Sequence, residues 1–266
     1  MNNKIVRIAL LCFQIVISLV IFIVLVIGIA GGESMAGMVR LSIPCSIQTI
    51  ANLAFSIILY MNYKRTSLLD IQIAPVLLLS TSLENVRIFS YYAQFSYHEP
   101  VSQSLIAPLF FFSLILSAVM FCGLSVIPQS RSLISVNNYI GVGVIASAML
   151  LLFGPRIKDL EHLESISIYI LLVWLLYGVA MISFIISIIQ NPHRGNILKQ
   201  LSQMALVAGD FLLSTMDAVG LIYAGICIYL AGEILLSVML LSKSRSYDET
   251  DITEEADQVS SEPEDF

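Results

Sequence analysis

Long apolar runs broken by short polar turns dominate this chain. Crossing the ~30 Å hydrocarbon core takes about 20 mostly apolar residues, because each advances about 1.5 Å along a helix. Backbone amides in lipid must bond within their own segment, so each run predicts a helix. The runs fall at roughly 5–30, 41–63, 70–95, 104–127, 133–154 and 165–190, with a last one near 219–242. The first follows Lys4 and Arg7, as in a signal peptide. Its apolar stretch from Ile8 to Ala30 is longer than an h-region of about 7–15 residues, so a retained first span is expected. The pattern predicts an all-α, polytopic transmembrane bundle over 1–242 and a separate tail over 243–266.

Side chains at the segment ends fit this reading. Tyr60 and Tyr63 precede Lys64 and Arg65, and Tyr91, Tyr92 and Tyr97 close the third segment. Tyrosine suits the headgroup level because its ring is apolar and its hydroxyl is wet. Pro44, Pro75 and Pro108 are expected in the first two helical turns, where a missing N–H does least harm.

Residues 196–242 admit two arrangements. From Met204 to Ser242 one straight helix would reach about 58 Å, nearly twice the core thickness. In one arrangement 196–217 lies along the interface, with Lys199, Gln203, Asp210, Ser214 and Asp217 as its wet stripe. In the other, 200–242 forms a hairpin that adds a short extra span. Seven spans place seven Lys and Arg residues on the side of the N-terminus and five opposite; eight spans make this nine against three. The positive-inside rule then favours eight spans and a cytoplasmic N-terminus.

Composition agrees with a lipid solvent. The chain is 58% hydrophobic and 12% charged, with a mean hydropathy of +0.89. Soluble domains carry about twice that density of charge. The net charge of −6 misleads, because residues 247–266 hold nine acidic residues and no Lys or Arg. That stretch reads as disordered and offers a surface for a protein partner. The plasma membrane or a bacterial inner membrane is the default location, since no retrieval signal is visible. Cys12, Cys45, Cys122 and Cys227 lie singly in apolar runs and read as reduced packing residues, with no metal-like spacing.

Ionisable residues in spans are functional candidates, since each costs about 2.5–3.5 kcal/mol to insert. Glu84, Arg87, Glu233 and the amide Asn52 form the first set, with Asp210 and Asp217 behind them. Glu84 and Arg87, three apart, share a helix face and can pair. They belong to a stripe of Ser80, Glu84, Arg87, Tyr91 and Gln94; the second segment carries Cys45, Thr49, Asn52, Ser56, Tyr60 and Tyr63. The two stripes either satisfy each other or line a ligand or ion path. Glu233 is read as a neutral hydrogen-bonded acid or a proton relay, and Asp210 and Asp217 as solvated if their helix lies on the surface. Small residues at four-residue spacing, Gly220 and Ala224, Gly143 and Ser147, Ala205 and Gly209, suggest close helix contacts.

Known catalytic motifs are missing: no phosphate-binding glycine loop with Lys, no H-E-x-x-H and no G-x-S-x-G. His98, His162 and His193 fall in predicted loops, so no span offers a base to activate a serine. No catalytic residue, cofactor or metal is assigned, and scattered basic residues argue against nucleic acid. Three classes remain: a non-catalytic sensor, scaffold or complex subunit; a secondary transporter or channel using the intramembrane acids; and an intramembrane enzyme. The lipid bilayer is the one expected partner that composition identifies; the small molecule or ion is not.

Overall fold

The computed structural model describes residues 3–30, 35–62, 68–89, 99–126, 133–153, 168–216 and 218–260. Among them there are eight α-helices and no strand. They are α1 (Asn3–Ala30), α2 (Met35–Met61), α3 (Leu68–Glu84), α4 (Glu99–Val126), α5 (Leu133–Phe153), α6 (Ile168–Gln190), α7 (Arg194–Thr215) and α8 (Val219–Ser260). A 3₁₀ turn, Asn85–Arg87, follows α3.

Five stretches are long and apolar enough to cross a membrane: Ile5–Ile27, Leu41–Met61, Ile106–Ser125, Ile170–Gln190 and Val219–Leu241. Val136–Leu152 is a shorter apolar helix. In α1 only 11% of the apolar window is buried inside the protein, against 67% in α4. Helix α1 is therefore peripheral and α4 central. Exposed Phe13, Phe22, Ile145, Leu152, Leu171, Ile189 and Ile234 give α1, α5, α6 and α8 an apolar outer surface. Such a surface is stable against lipid and not against water.

The interior holds many polar side chains beside its apolar core. Helix α3 packs on α4, α1, α2 and α5, and nearly every side chain from Ile73 to Ile88 is buried or half-buried. One apolar core joins Ile73, Leu77, Phe110, Leu114, Phe121, Tyr177, Phe184, Leu206 and Tyr229 across α3, α4, α6, α7 and α8.

Helix α7 is not an isolated surface helix. It packs most extensively along α8, so 194–242 is an antiparallel hairpin. Glycines permit the approach: a Cβ on Gly209 would lie 2.5 Å from the Tyr229 nitrogen, and one on Gly232 would lie 2.7 Å from the Ser202 oxygen. Gly225 meets the Gly209 oxygen in the same way, at 2.9 Å. Of the small-residue pairs expected from sequence, Gly209 serves this seam and Gly143 lies against Met120 and Val119 of α4, whereas Gly220 faces open space.

Three further expectations change. Pro44, Pro75 and Pro108 lie in helix interiors, because α2, α3 and α4 begin earlier relative to them than the apolar runs imply. The third segment does not continue as one α-helix through its polar stripe; it tightens to 3₁₀ at Asn85–Arg87. Residues 243–266 are expected to form a disordered tail, yet the backbone stays helical to Ser260, and 261–266 lie outside the described residues. Extending an existing helix needs no new nucleus, which lets a sequence of modest propensity continue it.

Candidate functional site

The second-segment stripe packs against the third segment, but on Thr81, Ser82 and Asn85, which the expected third-segment stripe does not include. Asn52 bonds Thr81 and Ser82 and Asn85 bonds Thr49, whereas from that stripe Arg87 reaches Cys45 Sγ at 3.9 Å and Glu84 turns to other helices. Cys45, Thr49, Asn52 and Ser56 of α2 are buried, as are Ser80, Thr81, Ser82, Glu84, Asn85 and Arg87 on and after α3. Tyr63, Tyr91 and Gln94 lie outside the described residues, as does Asp217. A buried polar atom in an apolar medium requires a partner, and here the partners come from neighbouring helices.

The first node is built on two carboxylates. Glu84 accepts the Ser117 hydroxyl of α4 at 2.5 Å on one oxygen and the Ser214 hydroxyl of α7 on the other. Asp210 of α7 accepts the Tyr177 hydroxyl of α6 at 2.6 Å and the Gln48 amide of α2 at 3.0 Å. Ser117 and Tyr177 lie 3.4 Å apart, so hydroxyls bridge the two acids. Asn85 donates to Gln48 and Thr49, each at 3.0 Å, which fixes the amide that holds Asp210. Asp210 is thus fully buried and hydrogen-bonded, not solvated as a surface helix would leave it. Lys199, Gln203, Asp210 and Ser214 do share a face, but from Gln203 onward that face turns inward.

Arg87 reaches past Glu84. Its guanidinium donates to the Leu213 and Ser214 carbonyls, the latter at 3.3 Å, near the C-terminal end of α7. The last four carbonyls of a helix lack intrahelical donors and carry the negative end of its dipole, so a cation belongs there. The group also stands 5.8 Å from the Phe110 ring centroid, and its charge acts on both Glu84 and Asp210.

The second node surrounds Asn52. Its amide donates to Thr81 and Ser82, each at 2.9 Å, and its carbonyl accepts the Tyr229 hydroxyl of α8 at 2.8 Å. Ser82 also accepts the Gln14 amide at 2.7 Å, which attaches the peripheral α1 to the interior. Together the nodes tie seven helices; α5 is held separately, through the Tyr139 hydroxyl on the Val119 carbonyl at 2.5 Å.

Glu233 stands apart. It is 4% exposed, one turn beyond Tyr229 on α8, and its Oε1 has no hydrogen-bond partner among the described residues. Of the candidates read from sequence, Glu84, Arg87 and Asp210 share the first node, Asn52 forms the second, and Glu233 joins neither by a hydrogen bond.

Gln14, Gln48, Asn85, Ser117, Tyr177 and Tyr229 also belong to the nodes, though the charge pattern does not single them out. A mid-span amide or phenol was the available signal, since each must find a partner inside the bundle. Among the described residues no three His, Cys, Asp or Glu side chains gather to hold a metal. Cys12, Cys45, Cys122 and Cys227 are free thiols.

Comparison with protein-family models, with curated proteins and with solved structures finds no match to this chain.

Proposed function

We propose that this chain is a multi-pass integral membrane protein acting as a non-catalytic component: a sensor, scaffold or subunit of a larger assembly. The observation that carries this reading is the engagement of both oxygens of Glu84 and both of Asp210 by donors from α2, α4, α6 and α7. Acids used in transport must be able to exchange their ligands. Acids held on four sides by other helices instead define how those helices sit against one another. A node of this kind favours one packing of the bundle and couples each member helix to the others.

The test is flux. Purified protein in proteoliposomes is expected to pass monovalent ions and small solutes no faster than protein-free vesicles. Flux above that background, abolished by Glu84→Gln, would remove the proposal in favour of transport. A second reading, a secondary transporter, is favoured by the buried acid Glu233 with an oxygen lacking a partner; the same assay with Glu233→Gln addresses it.

The topology proposed alongside has eight spans, with α3 and α7 as the polar inner members and both termini in the cytoplasm. Its support is the α7–α8 hairpin and the excess of basic residues on one side, and the plasma membrane or bacterial inner membrane is the location proposed. Cysteines added singly at residues 2 and 266 in a Cys-free background are expected to resist an impermeant maleimide together in intact cells. Labelling of the C-terminal one alone would return the chain to seven spans.

A further inference from the structure

Ser117 has more acceptors around it than hydrogens to give. A serine hydroxyl donates once. Yet Ser117 Oγ lies 2.5 Å from Glu84 Oε1, 3.0 Å from the Leu114 carbonyl and 3.4 Å from the Tyr177 hydroxyl. Its one hydrogen cannot point at Glu84 and Leu114 together. A hydrogen on Glu84 Oε1 resolves the conflict: the carboxyl then donates to Ser117, and the Ser117 hydrogen is released to Leu114 or Tyr177. Ser214 still donates to the other oxygen of Glu84. A contact of 2.5 Å accommodates the hydrogen on either oxygen.

Charge leads to the same count. Glu84 and Asp210 are 1% and 0% exposed. With both ionised beside Arg87, the node would keep a net negative charge in a dry interior, which is costly. One proton on the pair leaves a single carboxylate to balance the guanidinium, as when two close carboxyls cannot both ionise. Cations elsewhere on the packed helices start far away. Arg7 lines a cleft with Pro75, nine residues before Glu84 on α3, or about 14 Å. Lys199 is eleven residues before Asp210 on α7, about 16 Å, and Arg194 is further still. Arg40 stands eight residues before Gln48 on α2, about 12 Å. The other titratable groups at this level are the Tyr177 phenol of α6 and the Cys45 thiol of α2, and neither brings positive charge.

The hydroxyls also supply a route between the acids. Glu84 Oε1, Ser117 Oγ, Tyr177 Oη and Asp210 Oδ2 follow one another at 2.5, 3.4 and 2.6 Å, and either hydroxyl can donate in the middle link. The Glu84 proton passes to Ser117 as the Ser117 hydrogen passes to Tyr177 and the Tyr177 hydrogen to Asp210. Three O–H bonds break and three form, and the negative charge moves from Asp210 to Glu84. The Gln48 amide on Asp210 and the Ser214 hydroxyl on Glu84 hold their positions throughout.

We propose that Glu84 and Asp210 store one proton between them, exchanged through the Ser117 and Tyr177 hydroxyls, so that the first node with Arg87 is electrically neutral. Storage within the node needs no flux, so this inference stands or falls separately from the proposed function.

The experiment is infrared difference spectroscopy of the full-length chain in detergent at neutral pH. It is read in the carbonyl-stretch band that protonated carboxyls show and carboxylates lack. Wild type minus Glu84→Gln and wild type minus Asp210→Asn should each show one carboxyl's worth of band, because removing either acid leaves one carboxylate beside Arg87 and no place for the proton. The double variant should lose no more than either single one. Acids outside the node, Glu233 included, cancel in each difference. Side-chain ¹³C labelling of Glu alone and of Asp alone should each shift part of the band lost in Asp210→Asn. Tyr177→Phe breaks the route, and against the same background its band should respond to one label only. No loss in either single variant, loss in only one of them, or twice the loss in the double variant overturns the proposal. So does a wild-type band that shifts with a single label, or a Tyr177→Phe band that still shifts with both. Should Glu84→Gln fail to fold, the labelled difference between wild type and Asp210→Asn decides the matter.

Discussion

Arg87→Met is expected to be the most damaging single substitution in the bundle, lowering stability by about 3–5 kcal/mol, the range for removing one partner from a buried charged cluster. The hydrogen bonds alone do not reach that figure. Bonds between membrane helices average about 0.6 kcal/mol, so two lost bonds to the Leu213 and Ser214 carbonyls account for roughly 1 kcal/mol. The larger part comes from the acids left behind. Glu84 and Asp210 are both fully enclosed, and Arg87 is the described cation whose charge acts on both. Met fills similar volume over Phe110 without supplying charge, so packing loss stays small. Thermal unfolding in detergent should show a midpoint lower by roughly 10 °C. The double variant Arg87→Met with Glu84→Gln should recover part of this, because the amide oxygen still accepts one of the Ser117 and Ser214 hydroxyls while one orphaned charge is gone. An Arg87→Met protein as stable as wild type would show that the acids are compensated in some other way.

How far the sequence discloses this arrangement differs from element to element. Apolar length alone exposes α1, α2, α4, α6 and α8, because lipid demands one composition over one distance and nothing else satisfies both. The inner helices are harder to read. Helix α7 carries Gln200, Gln203, Asp210 and Ser214, and a stripe of that kind is what a surface helix would also show. Periodicity tells which residues share a face; it does not tell whether that face meets water or other polar helices. The deciding features were the glycines, Gly209 with Gly225 and Gly232, whose contact is invisible until the two helices are placed side by side. In the same way Glu84 and Arg87 were legible as a pair on one face, while Arg87's reach to the end of α7 depends on a helix about 126 residues away. The uncharged members went unnoticed for a related reason: Tyr177 in mid-span resembles any core aromatic until its hydroxyl is seen on Asp210.

Asp210 offers the second large effect, and its value lies in a contrast. Asp210→Leu strands the Gln48 amide in a dry interior at about 1–3 kcal/mol and leaves the Tyr177 hydroxyl a 3.4 Å contact with Ser117, so a loss of about 2–3 kcal/mol is expected in the same unfolding measurement. Asp210→Asn should lose less than about 1 kcal/mol: the amide oxygen still accepts from Gln48, and the Tyr177 hydroxyl can turn to accept an N–H. Asn52→Leu provides the control. It removes more hydrogen bonds than Asp210→Leu, yet Thr81 already bonds the Leu77 carbonyl at 3.1 Å, and Tyr229 retains Thr81 at 3.4 Å. Its partners are therefore not stranded, and about 1 kcal/mol is expected, close to the membrane average for one or two bonds. If the number of bonds lost governed stability, Asn52→Leu would be the worse change. If the cost is set by donors left without any acceptor, the Gln48 amide makes Asp210→Leu worse by about 1–2 kcal/mol. The order of those two midpoints decides whether the bundle is held by the sum of its polar contacts or by the carboxylates that leave no alternative to their donors.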